Sequence, residues 1–124
     1  MSHRTPEELD QEAREKLDEI LSRNTPLKPK DRLAIPPQEM PEQPADDRRE
    51  NINEVALGYS EAQARLEAMR CLQCKNQPCV GGCPVQIDIP AFVQAVAEGD
   101  FSRAADIIKR NSLLPAICGR VCPQ

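Results

Sequence analysis

The sequence predicts an all-α fold of short helices around one small core. Two observations support this prediction: apolar residues recur at helical spacing behind helix-capping residues, and no run of four or more alternating β-formers occurs. The chain has 124 residues with one Tyr, two Phe and no Trp, which suits one domain without a large aromatic core. A multidomain enzyme with separate cofactor and substrate lobes is therefore excluded.

Residues 1–24 predict a charged leading helix. Thr5-Pro6-Glu7-Glu8 has the residue types of a capping box with proline at N1, so a helix is expected from about Pro6 to Ser22. Its apolar stripe is thin, which favours a solvated helix over one that docks on a partner. The stripe comprises Leu9, Ala13, Leu17, Ile20 and Leu21.

Residues 25–50 predict a proline-rich linker. This segment contains six prolines and no sustained helical period, so missing backbone donors should block helix and ladder formation. An extended tether is expected, and residues 1–50 together should contribute little to the fold.

Residues 51–124 form the predicted compact part. Ser60 and Gln63 make a second capping box, which opens a helix that runs to Arg70. Two further helices are expected from about Pro90 to Gly99 and from Asp100 to Asn111, joined at a tight corner as a helical hairpin. The expected packing residues are Ile52, Val55, Ala56, Leu57, Phe92, Val93, Val96, Phe101, Ala104, Ala105, Ile107 and Ile108.

The distribution of charge excludes several classes of partner. Residues 1–70 carry 11 Lys+Arg against 16 Asp+Glu, a net charge of −5, and residues 71–124 carry 5 against 4, a net charge of +1. No basic stripe is present, so no nucleic acid is expected as a partner. No stretch approaches the roughly 20 apolar residues of a membrane span, and the amino terminus lacks the apolar segment of a secretory signal. The sequence therefore predicts a cytoplasmic protein without a membrane partner.

The six cysteines all lie in the last 54 residues and form two groups. The first group, Cys71-Leu-Gln-Cys74-Lys-Asn-Gln-Pro-Cys79-Val-Gly-Gly-Cys83-Pro84, has the spacing C-x2-C-x4-C-x3-C-P. Its first three cysteines can fold around one metal centre, whereas the proline after the fourth turns the chain and directs that sulfur elsewhere. The second group, Cys118-Gly-Arg-Val-Cys122-Pro123, repeats C-x3-C-P. Two such units indicate two iron–sulfur clusters.

Zinc and disulfides are the alternatives to iron–sulfur ligation. Structural zinc sites favour two separated C-x2-C pairs, and this chain has only the pair Cys71 and Cys74. A reducing cytosol disfavours disulfides. Two 4Fe-4S clusters need eight ligands and six cysteines are present, so we expect either one cluster or a piece of a longer protein.

Catalysis by this chain alone is not expected. The sequence offers no candidate acid/base pair, nucleophile or glycine-rich phosphate loop, so its chemistry would be confined to the cysteines. A binding function remains open as the alternative to electron transfer. The chain would then be a cysteine-rich helical protein-interaction module, either zinc-bound or metal-free.

Several segments in order resemble the amino-terminal iron–sulfur domain of the glutamate synthase small (beta) subunit and its relatives. These relatives include ferredoxin-linked NAD(P)H oxidoreductases and the amino-terminal domain of dihydropyrimidine dehydrogenase. The resemblance covers about residues 51–124. The segments are Glu54-Val-Ala-Leu-Gly-Tyr59, Arg70-Cys-Leu-Gln-Cys74, Cys79-Val-Gly-Gly-Cys-Pro-Val85, Ile87-Asp-Ile-Pro-Ala-Phe92, Glu98-Gly-Asp-Phe101 and Leu114-Pro-Ala-Ile-Cys-Gly-Arg-Val-Cys-Pro123.

The resemblance implies an α-helical ferredoxin-like domain that holds two 4Fe-4S clusters. Cys71, Cys74 and Cys79 are implied as ligands of cluster one. Cys83 and Cys122 are implied as ligands of cluster two, while Cys118 is implied to be a packing thiol because some relatives lack a cysteine there. The remaining ligands would follow Gln124, so the domain is expected to be incomplete at its C-terminus and its clusters absent or incomplete in this chain.

The resemblance also implies partners. The parent polypeptide would carry FAD- and NADPH-binding domains and would relay electrons from NADPH through FAD and the clusters. The acceptor would be a partner redox centre, such as a large FMN-containing glutamate synthase subunit. This chain would serve as the electron-transfer domain of such an oxidoreductase.

Overall fold

The computed structural model describes residues 4–123, and they form an all-α structure, as predicted. A single antiparallel bridge pairs Glu42 with Ala56, and no longer strand is found among the described residues. The chain divides into two compact units, with the boundary between Glu67 and Ala68. The α-helices are α1 (Pro6–Ser22), α2 (Pro29–Ala34), α3 (Glu61–Met69), α4 (Pro78–Gly81), α5 (Ile89–Glu98), α6 (Phe101–Lys109) and α7 (Pro115–Val121).

The leading helix α1 has the predicted bounds and the predicted capping box. The Glu8 backbone N–H donates to Thr5 Oγ1 at 3.2 Å, and the Thr5 N–H donates to Glu8 Oε2 at 2.8 Å. The expectation of a solvated helix is wrong, because four residues of its apolar stripe are buried. They are Leu9, Ala13, Leu17 and Ile20.

The predicted linker is ordered by local structure and by side-chain hydrogen bonds. It contains α2, which begins with Pro29 at N1, a position where no helical N–H is needed. The Lys28 N–H donates to Asp31 Oδ2 at 3.0 Å and so caps the start of the helix. The Gln38 N–H donates to Glu67 Oε2 at 2.9 Å, and Ile35 is buried. Residues 4–50 therefore contribute to the first unit, contrary to the expectation for residues 1–50.

The segment 51–59 is exposed, which overturns its expected packing. Ile52 is fully exposed, and Val55 and Leu57 are also exposed. The segment is held by its backbone instead, since the Gln43 N–H donates to the Val55 carbonyl at 2.9 Å and the Leu57 N–H to the Pro41 carbonyl at 2.8 Å. Backbone pairing leaves these apolar side chains in solvent.

The second unit contains the predicted helical hairpin of α5 and α6. Asp88 and Asp100 cap the two helices through their side chains, and Gly99 at φ +84° ends α5 in the left-handed region that glycine tolerates. Phe101 is 39% exposed, so its predicted burial is wrong. The hairpin core comprises Ala95, Ala104 and Ile107, with Ala91, Phe92 and Val96 packed against it.

No helix in the described part of the chain combines the length and the apolar character needed to cross a membrane.

Candidate metal centre

The first four cysteines lie on the segment that joins α3 to α5. Cys71 lies two residues after the last residue of α3, and its N–H donates to the Ala68 carbonyl at 3.1 Å. Cys74 begins a turn closed by the Gln77 N–H at 3.3 Å, and Cys79 lies within α4. A chain of local turns thus spaces the cysteines without any strand or long helix.

Left-handed backbone is concentrated in this cysteine-bearing segment. Gln73, Gln77 and Gln86 have φ values of +53°, +41° and +56°, and the only other non-glycine residue with positive φ in the described chain is Asn24. Each such residue costs about 1–2 kcal/mol relative to ordinary backbone. Strained backbone of this kind clusters at functional sites, because surrounding contacts must maintain it.

The Cys83 sulfur lies in a turn that directs backbone N–H groups toward it. The turn is closed by the Gln86 N–H, which donates to the Cys83 carbonyl at 2.9 Å. Hydrogen bonding from the Ile87 N–H, with smaller contributions from Val85 and Gln86, lowers the pKa of the Cys83 thiol, although partial burial raises it. N–H groups that stabilise a thiolate suit a sulfur that binds metal.

The Cys71 sulfur also has a donor nearby. The Gln73 side-chain amide lies 3.5 Å from Cys71 Sγ and donates to the Pro90 carbonyl at 3.1 Å. The amide thus joins the first cysteine pair to the first turn of α5.

The second cysteine group lies on α7. Cys118 is inside this helix and half-buried, and its sulfur is 3.3 Å from the hydroxyl of the buried Ser112. Cys122 is exposed at the C-cap, and its N–H donates to the Cys118 carbonyl at 3.0 Å. The two sulfurs therefore differ: one has a packed local partner and the other is open to solvent.

The donor chemistry of the site fits an iron–sulfur cluster. All six cysteines are free thiols, and the Cys71 sulfur already has an N–H donor. Across residues 4–123, however, the structure places no three His, Cys, Asp or Glu side chains together as a ready metal site. The chain therefore supplies ligands of the right chemical type, and cluster binding would have to bring their sulfurs closer together.

An all-α unit with the spacing C-x2-C-x4-C-x3-C-P on one loop defines an iron–sulfur domain. The chain belongs to the family described as dihydropyrimidine dehydrogenase domain II, 4Fe-4S cluster, whose profile matches residues 48–124. The suspected resemblance is thereby confirmed at the level of the family.

Comparison with curated proteins supports the same family assignment. The chain is 40% identical over 87 residues to the glutamate synthase (NADPH) small chain of Halomonas elongata and 39% identical over 84 residues to that of Escherichia coli. These matches cover 70% and 68% of this chain and 18% of each relative. It is also 39% identical over 72 residues to the NAD-dependent dihydropyrimidine dehydrogenase subunit PreT homolog of Salmonella typhi, covering 58% of this chain and 17% of that protein. The chain is a 4Fe-4S electron-transfer domain related to these oxidoreductase subunits, and it spans less than a fifth of their length.

Sequence reasoning identified the cysteines but not the groups around them. The sequence contained no signal for left-handed backbone at the three glutamines, because glycine and asparagine are the usual residues there. The partner of Cys118 was also missed. Ser112 stands just after the predicted end of α6, where it resembled an ordinary loop serine.

Proposed function

We propose that this chain is the amino-terminal electron-transfer domain of an NAD(P)H-dependent flavoprotein oxidoreductase similar to the glutamate synthase small chain. Cys71, Cys74 and Cys79 would ligate one 4Fe-4S cluster, and Cys83 and Cys122 would contribute to a second. A 4Fe-4S cluster accepts and donates single electrons, which suits transfer between a flavin and a partner redox centre. FAD- and NADPH-binding domains would belong to the same polypeptide, and a large FMN-containing subunit is the proposed acceptor.

One observation carries the proposal most directly. The segment from Cys71 to Cys83 presents four free thiols on a strained loop, and the Cys71 sulfur already has an N–H donor from Gln73. In a loop with only a structural role, nothing would offset the free energy of the left-handed backbone. In a loop that closes around a metal, the metal–thiolate bonds offset it. A cytoplasmic location is part of the proposal, since a reducing compartment keeps thiols available as ligands.

The proposal is tested by anaerobic reconstitution, with iron and sulfide, of a longer polypeptide that includes the proposed FAD- and NADPH-binding domains, called the full-length protein below. Expected results are acid-labile sulfide in equal number to iron, a broad absorbance near about 400 nm, and electron paramagnetic resonance of reduced 4Fe-4S clusters. Stoichiometric zinc in the purified protein, without colour after reconstitution, would instead support the interaction-module alternative and overturn the electron-transfer function.

A second measurement tests the direction of electron flow. NADPH added anaerobically to the reconstituted protein should bleach the cluster absorbance, because the proposed path runs from nicotinamide through FAD to iron. Clusters that dithionite reduces and NADPH does not would contradict the proposed flavin relay.

A further inference from the structure

Gln73 stands between Cys71 and Cys74, and its side chain has two partners in the second unit. The amide nitrogen donates to the Pro90 carbonyl at 3.1 Å and lies 3.5 Å from Cys71 Sγ. A side-chain amide carries two N–H donors, so both partners can be served at the same time.

The backbone of Gln73 explains how these contacts arise. Its φ of +53° turns the chain between the two cysteines and directs the side chain back toward α5. Pro90 is buried in the first turn of that helix, so the carbonyl that accepts the amide belongs to the packed hairpin. The side chain therefore joins an exposed turn to packed structure.

We propose that Gln73 is a positioning residue for the first cysteine pair. Its amide anchors the turn from Cys71 to Cys74 on α5 and gives the Cys71 sulfur a hydrogen-bond donor. The second part rests on the proposed function, in which Cys71 is a cluster ligand. A donor at a ligand sulfur stabilises the more negative, reduced cluster and so raises its reduction potential.

Gln77 provides a matched control within the same loop. It is also a glutamine with left-handed backbone, and it is exposed between Cys74 and Cys79. Within the described residues no hydrogen bond involves its side chain, although its backbone closes the turn at Cys74. Gln77→Leu therefore repeats the chemical change of Gln73→Leu at a comparable backbone conformation without removing an anchor.

The anchor is tested by hydrogen exchange on the metal-free 124-residue chain. Gln73→Leu should lower the protection of the Cys71 and Gln77 amides at least about threefold, because the turn loses its side-chain link to α5, whereas Gln77→Leu should not lower that of Cys71. Equal protection in the wild type and Gln73→Leu would overturn the proposal. This measurement needs no cluster, so it decides the role of Gln73 even if the electron-transfer function fails.

The donor role is tested by redox titration of the reconstituted full-length protein, followed by electron paramagnetic resonance. Gln73→Leu should lower the potential of one cluster by about 28 mV, a threefold change at 59 mV per tenfold for one electron. Gln73→Asn, which keeps an uncharged amide donor on a side chain one methylene shorter, should restore part of the potential, and Gln77→Leu should leave it unchanged. An unshifted potential in Gln73→Leu would overturn the donor role, whereas failure of the wild type to form clusters would overturn the proposed function itself.

Discussion

The Gln63 side-chain amide donates a hydrogen bond to the Glu39 carbonyl at 2.9 Å, although 24 residues separate the two positions. The Gln63 side chain is 1% exposed, and its oxygen also accepts the Ser60 N–H at 3.1 Å. One buried side chain therefore caps α3 and fixes the proline-rich segment.

Replacement of Gln63 should destabilise the first unit. Gln63→Leu leaves the Glu39 carbonyl without its donor, at a cost of about 1–3 kcal/mol. Gln11→Leu is the control, since Gln11 is exposed and donates to Glu15 within α1, and its effect should stay within about 0.5 kcal/mol. Urea unfolding followed by Tyr59 fluorescence measures this unit specifically, because the chain has one Tyr and no Trp. Equal unfolding midpoints for the two variants would contradict the buried role.

A second prediction concerns the packing of α1. Leu17 is 7% exposed, whereas Leu21 on the same helix is 47% exposed. Leu17→Ala should lower the free energy of unfolding by about 2–5 kcal/mol, through lost burial and the cavity left behind. Leu21→Ala should cost much less, because its side chain already contacts water. Matching losses in the same Tyr59 assay would indicate that α1 is not packed as described.

These first-unit contacts show what the sequence could and could not predict. The bounds of α1 were predictable, because Thr5 and Glu8 form a local capping box with recognisable spacing. Burial of the apolar stripe was not predictable, since Leu9 and Ala13 line one cavity with Pro36 and Pro37, which belong to a distant segment without periodicity. The helix α2 was not predicted because its segment has no helical period, although Pro29 at N1 and Asp31 at N3 were signals for a helix start.

The corner between α5 and α6 should depend on glycine. Gly99 has φ +84°, so Gly99→Ala should destabilise the hairpin by about 1 kcal/mol. Gly119 lies inside α7, and apart from its chain neighbours and the backbone of its own helix no atom of the described chain lies within 4 Å of the place that an added methyl group would occupy. Gly119→Ala should therefore be neutral or stabilise α7 by up to about 1 kcal/mol. Hydrogen exchange of the α5, α6 and α7 amides measures both changes in stability. A loss of amide protection in both variants would contradict the argument that only Gly99 requires left-handed backbone.

Individual cysteines should differ in their effect on iron content. In the reconstituted full-length protein, serine at Cys71, Cys74 or Cys79 should damage one cluster, and serine at Cys83 or Cys122 the other. Cys118→Ser should retain nearly all iron, because its sulfur packs against Ser112 at 3.3 Å. Iron and sulfide analysis with electron paramagnetic resonance separates the two sets. Iron loss in Cys118→Ser equal to that in Cys122→Ser would refute the assignment.

The 124-residue chain alone should bind fewer than eight irons after reconstitution. Two 4Fe-4S clusters need eight ligands, and six cysteines are present. Iron and acid-labile sulfide per chain, compared with the full-length protein, measure the difference. Eight irons bound stably to the short chain would show that residues other than cysteine serve as ligands.

The cysteine spacing made the kind of site predictable, whereas its surroundings required the structure. Spacing along the chain indicates which sulfurs can share a centre, and Cys71, Cys74 and Cys79 form such a set. The contact from Gln73 to Pro90 depends on a left-handed turn in a residue that seldom adopts one. No periodic pattern encodes such a turn, so the positioning side chain could not be inferred from sequence.

The hairpin of α5 and α6 also sets an order of events during biosynthesis. Its packing joins residues close together in sequence, such as Ala95 and Ala104, and local contacts of this kind form within microseconds. Ribosomes add only about 5–20 residues per second, so the hairpin should be folded before Cys122 has left the exit tunnel. The loop from Cys71 to Cys83 precedes the hairpin and leaves the tunnel first, whereas Cys118 and Cys122 emerge next to a folded hairpin. Cluster-loading machinery would therefore meet a partly folded nascent chain instead of an unfolded one.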